Sequence, residues 1–440
     1  MLSPNEIRHL TVRTAYGADL SVLVQLRGLN RSDAISHLIN NPHHRSMVPK
    51  LTPLSILSQK TKSATNEERK AIRKQLVSEA NALKKWWWVE IVKSQDPLRE
   101  RLALFWHNHF TSSFRKVRCP DLLLRQNELF WKYALGNFRD LLHEITQDAA
   151  MLIYLDGHKN KKGKPNENFA RELLELFTLG QGNFSERDVK GAATAFTGWG
   201  VNRRTGKFRY SAKHHENQII SFLGQNIPSD GKLVVEHILR NPRTSEYIAE
   251  KVWNEFVSHE SPDPDLMQKW GYKFRNSGYS IYVLVETALH SDEFWDSRHR
   301  GALIKSPVDL LAGAFRELQI PVSDSGEWLR RRSKRLGQDL FDPPNVKGWV
   351  GGNSWITSES LPLRERFVRR LVRGEEKNRR EVMSAMNPTT SDSALRWDAQ
   401  VTLQIMESWL LPLPSVYSVQ ATDHWRLLAQ LVTDPAYQLR

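Results

Sequence analysis

The spacing of the apolar residues limits most what this chain can become. They recur at three- and four-residue intervals along most of its length, while the alternation of a half-buried strand is scarce. Such a pattern folds as packed helices, and the punctuation agrees. Asp96 followed by Pro97 is an N-cap with proline at the first helical position, and it predicts a helix to about Phe110. The periodicity predicts further helices over Pro4–Thr14, Leu20–Arg27, Ser32–Ile39, Thr65–Val92, Leu122–Leu135, Phe138–Tyr154, Glu167–Leu179, Glu186–Phe196, Lys232–Leu239, Thr244–Val257, Asp263–Ser277, Ile281–His290, Pro307–Glu317 and Leu361–Arg373. Three stretches read as long ordered loops: 157–166, 198–213 and 337–360. The expected fold is all-α, a single large multi-helix domain with long ordered loops. Its body spans 1–373, and a C-terminal helical subdomain, 374–440, packs on it.

Composition narrows the function classes. A chain of 440 residues with 15 Trp carries too much apolar material to stay disordered. Its single cysteine, Cys119, excludes an internal disulfide framework and every multi-cysteine metal centre. No stretch reaches the ~18–20 apolar residues of a membrane span. No leader-like apolar run follows Glu6, Arg8 and His9, so the chain as written is expected in the cytoplasm. The net charge is +14, and 51 residues from Arg330 to Arg380 carry +8 of it.

Motifs for known chemistry are absent: there is no zincin, phosphate-loop, serine-hydrolase or dinucleotide fingerprint. What stands out is the run Pro165-Asn166-Glu167-Asn168-Phe169-Ala170-Arg171-Glu172-Leu173-Leu174-Glu175-Leu176-Phe177-Thr178-Leu179-Gly180. Turned at about 100° per residue, it puts Glu167, Asn168, Arg171, Glu172, Glu175 and Thr178 within an arc of about 140° and apolar residues over the rest. The stripe reads either as a solvated face laced by Glu167–Arg171 and Arg171–Glu175 pairs or as a polar site whose carboxylates differ in proton affinity. Asn166 caps the helix, and Lys159, Lys161, Lys162 and Lys164 before it form either an anion-binding turn or a solvated one.

Together with Phe105-Trp106-His107-Asn108-His109-Phe110, the turn Phe196-Thr197-Gly198-Trp199 and the loop from Gly337 to Trp355, this run resembles the DUF1800 family of bacterial proteins. The resemblance covers essentially the whole chain. It implies no established activity; it implies export for many members and a DUF1501-type protein as partner. Where the family has a His-Asp pair after the Gly-Trp turn, this chain reads His214-His215-Glu216-Asn217.

One site is therefore expected to join the His107/His109 helix end, the Glu167–Glu175 helix and the His215-Glu216 loop. Its catalytic candidates are His109, Glu167, Arg171, Glu172, Glu175 and His215, working by acid–base chemistry in a hydrolytic or transfer reaction. Imidazole and carboxylate suit a divalent metal, with His107, His109 and Glu172 as ligands, although residues two apart on a helix face different ways. Asn166 and Asn168, with Asn345, Lys347 and Trp349 from the glycine- and proline-rich loop, are candidate ligand contacts; the tryptophans of that loop serve equally well to tie it to the core. A non-catalytic binding or assembly protein is the alternative. The basic helix bearing Arg366, Arg369, Arg370 and Arg373 raises a third reading, nucleic-acid binding, but no nucleic-acid module supports it.

Overall fold

Side-chain caps start the helices where the sequence announces them. Ser3, Thr65, Ser185 and Ser306 each form a reciprocal capping box with the acidic residue three positions on. Asp96 caps Pro97–His109 by accepting from the Arg99 amide at 3.1 Å. The computed structural model describes residues 1–17, 20–40, 44–322, 325–373, 399–419 and 424–440. It is all-α in class, with only two small antiparallel hairpins.

Two expectations are corrected at element level. The helix predicted over Phe138–Tyr154 is two, Phe138–Thr146 and Ala149–Tyr154, because half-buried Asp148 turns to cap the second, accepting from the Met151 amide at 2.8 Å. The stretch 198–213 is not simply a loop: β1 (Trp199–Asn202) pairs with β2 (Lys207–Tyr210), and β3 (Ile219–Phe222) pairs with β4 (Gln225–Pro228) just beyond. Four-residue strands are too short to announce themselves by alternation. The helices Leu54–Lys62, Phe114–Val117 and Gly326–Arg335 were likewise not predicted.

One continuous apolar core runs from Leu2 to Tyr437. Trp86, Trp87 and Trp88 are all buried although successive residues turn about 100° apart, so the second half of Asn66–Lys93 is enclosed over most of its surface, with Lys85 and Lys93 left exposed. Its first half is largely exposed and forms a wall of the cleft described below. The last residues return to the body: Leu303 and Arg440 exchange backbone hydrogen bonds at 2.7 and 3.2 Å, and Ala399–Leu410 packs on Pro4–Thr14. Part of the expected C-terminal subdomain, 374–398, lies outside the described residues. Among the described residues no helix is long and apolar enough to cross a membrane.

Candidate functional site

The histidine pair divides as helix geometry requires. His107 points into the core, its ring 5.4 Å from Trp87 and 5.8 Å from Trp349, and its Nε2 has no hydrogen-bond partner. Burial, with Lys84 nearby, pushes its pKa down to about 3. His109 faces the other way, lying parallel to Phe105, with Nε2 3.0 Å from the Phe177 carbonyl. A carbonyl only accepts, so Nε2 carries the proton. Burial and Lys251 hold this pKa at about 3 against that hydrogen bond, and the ring is neutral near pH 7.

Phe177 belongs to an irregular stretch of the signature helix. Glu167–Glu172 is α-helical with Asn166 as its cap, but Leu173–Thr178 widens to a π-helix in which the Leu179 amide reaches back five residues to Leu174. Donors from outside meet its carbonyls: Tyr247 Oη on Leu176 at 3.0 Å, His109 on Phe177 and Arg243 Nε on Leu179 at 3.1 Å. The wider turn corrects the expected pairing. Arg171 does bond Glu167 at 3.1 Å, but it turns its fork to Glu186 at 2.7 Å instead of Glu175. Burial and neighbouring Glu175 raise the proton affinity of Glu172, while Lys347 and Arg171 oppose the shift.

Lys347 sits in a loop clamped to the histidine helix. Asn108 accepts from the Trp349 amide at 2.7 Å and donates to its carbonyl at 3.3 Å, while Asn345 turns the chain by accepting from the Lys347 amide at 2.9 Å. Gly348 has φ +75°, and a Cβ there would collide with Asn108 Oδ1. Trp349 is buried against His107, so of its two readings the core tie is the one realised. Asn345 and Lys347 stay exposed.

The other end of the signature helix has a different setting. Buried Asn160 accepts from the Asn166 amide at 2.9 Å, donates to the Ala193 carbonyl at 2.7 Å and receives the Gly198 amide on its own carbonyl, locking loop 157–166 to the β1–β2 hairpin. Asn168 donates to the Leu155 carbonyl, a second structural tie. His215 lies there too, Nδ1 3.0 Å from the Thr197 carbonyl, and Glu216 accepts from the Gly163 amide at 3.1 Å.

The residues expected in one site fall into two groups along the helix: toward its C-terminal end, His109 on the Phe177 carbonyl and Glu172 with Glu175 and Lys347 as charged neighbours; at its start a second cluster, Asn166 and Glu167 with His215 and Glu216 beside loop 157–166. Along the helix Glu167 lies about 15 Å from Phe177 and about 7.5 Å from Glu172. The metal set His107, His109 and Glu172 is not assembled: the imidazoles face opposite ways, and among the described residues no three His, Cys, Asp or Glu side chains gather as ligands would.

Beside the second cluster opens a cleft of about 1760 Å³. Two helices wall it through stripes at helical spacing, Leu54, Leu57, Ser58 and Thr61 on one and Arg69, Ile72, Arg73, Leu76 and Val77 on the other; loop 158–167 and the β1–β2 hairpin face them. Eight Lys and Arg side chains line it against one carboxylate, Glu167, which Arg171 already holds. Of the eight, Lys159 pairs with Asp156, and the other seven make no ion pair among the described residues. The sequence had singled out the loop lysines; Arg69, Arg73, Arg118, Arg203 and Arg209 were missed, because they come from segments up to 140 positions apart. The one local signal was a pair of arginines, Arg69 and Arg73, on an apolar stripe.

No curated protein and no solved structure matches the chain. A family model described as "Protein of unknown function (DUF1800)" matches residues 9–439. The motifs that cap, widen and anchor the signature helix are therefore set in a chain that, over nearly its whole length, belongs to the DUF1800 family.

Proposed function

We propose that the protein binds an extended anionic ligand, rich in phosphate or carboxylate groups, in the cleft beside loop 158–167. The observation that carries this reading is the cleft's charge: eight cations to one carboxylate. Like charges held together without counter-charges cost folding energy that an anionic ligand returns, and a concave wall focuses their field. The size of the cleft suits a chain-like ligand rather than a single small anion. Linear polyphosphate of about ten units tests it by calorimetry: affinity should fall linearly with salt on logarithmic axes, each lost contact reducing the slope by about 0.7–0.9. Replacing exposed Arg73, Lys161 and Arg209 by Gln should flatten that slope with the fold intact. Equal binding by wild type and the triple variant would refute the reading.

Acid–base chemistry in a hydrolytic or transfer reaction is the second reading, favoured by the raised proton affinity of Glu172 between Glu175 and Lys347. It needs a substrate that reaches the Glu172 end of the helix, and Glu172→Gln should abolish its turnover with binding unchanged. Turnover at the wild-type rate would remove it.

A further inference from the structure

A second concave surface shares no lining residue with the cleft. The helices Gly326–Arg335 and Ser360–Arg373 meet through Trp328 and Phe367, whose rings stack 4.5 Å apart. Beside them lies a slot of about 180 Å³, its apolar lining supplied by Trp328, Leu336, Leu363 and Phe367. Arg332, Arg335, Arg366 and Arg370 complete the lining, and no carboxylate does.

The acidic residues on these two helices are engaged elsewhere: Glu327 is held by Arg330 and Arg331, and Glu365 by Arg369. The four slot arginines make no ion pair among the described residues. An apolar slot ringed by guanidiniums selects a ligand that is apolar at one point and anionic around it. A phosphate chain would leave the apolar lining unused. A nucleic-acid base would need a free ring face, whereas the Trp328 ring is engaged by Phe367 and has the Arg332 guanidinium 5.8 Å from its centre.

We propose that this slot docks an acidic peptide segment of a partner protein, one aliphatic or aromatic side chain entering the slot while flanking Asp and Glu carboxylates bond the four arginines. The volume accommodates one such anchor, and a guanidinium fork meets a carboxylate with two parallel hydrogen bonds.

The test uses the full chain and three fluorescent probes of about twelve units: an Asp/Glu peptide with one central Phe, the same peptide with Ala in that place, and single-stranded DNA. The Phe peptide should bind about tenfold tighter than the Ala peptide, since a side chain anchored in a desolvated pocket carries much of such an interface's affinity. Arg335→Ser combined with Arg370→Ser, both exposed positions, should weaken Phe-peptide binding about tenfold with an unchanged circular-dichroism spectrum. The cleft variant at Arg73, Lys161 and Arg209 should leave it unaltered, which separates this proposal from the cleft reading. Equal affinity for the two peptides, tighter binding of the DNA, or no peptide binding because the chain itself covers the slot would each overturn it.

Discussion

His107 shows how a single residue is governed by its surroundings. Its neutral ring lies among Trp87, Phe341 and Trp349, and protonation there is opposed by burial first and by Lys84 second. An unfolded chain takes up that proton near pH 6.5, the folded one only near pH 3. Between these values the unfolded state binds more protons, so stability falls with acidification by about 1.4 kcal/mol per pH unit for this group. We expect His107→Leu to lose part of that slope in urea titrations between pH 6 and 4. A slope equal to that of wild type would mean that His107 is protonated in the folded protein.

Among elements, the signature helix owes its position to neighbours at both ends. Three donors from other segments meet its C-terminal carbonyls, and Asn160 fixes its approach through both its side chain and its backbone. Removing that amide leaves buried partners unsatisfied, so Asn160→Ala should cost about 2–3 kcal/mol. It should also weaken polyphosphate binding without changing the salt slope, because the lysines of loop 157–166 remain but are no longer held in place. A stability loss with unaltered affinity would show that the loop contributes charge and not geometry. The π-turn belongs to this scale too: a wheel of uniform pitch describes Glu167 to Glu172 and misplaces Glu175, since one wider turn rotates everything after it.

The whole molecule is fastened where its ends meet. Arg101 bonds Asp309 at 2.6 Å and Glu255 at 2.8 Å, and Arg440 reaches the same two carboxylates at 3.5 and 3.3 Å. Against the cost of burial, Arg440 and Arg101 keep the Asp309 carboxyl well below the usual range. Its contribution is therefore complete above about pH 4 and fades only in stronger acid. Asp309→Asn leaves two buried guanidiniums to share Glu255 alone and should cost about 3 kcal/mol, measured by denaturant unfolding at pH 7. Because one core spans Leu2 to Tyr437, tryptophan fluorescence and circular dichroism should follow a single transition. Two separated transitions would mark 374–440 as an independently folding unit.

Helix pattern, caps and stops lie within a few residues of one another, so the sequence determined the all-α class, most helix positions and the family. Asn166 as a cap and the opposed faces of His107 and His109 follow from the same local geometry. Tertiary structure decided what each polar residue faces: Arg171 with Glu186 rather than Glu175, His109 on the Phe177 carbonyl, His215 at Thr197, Trp349 in the core. It also decided where the charge collects. Arg69, Arg118 and Arg209 share a cleft because packing folds three distant segments together, and no local rule relates residues so far apart along the chain.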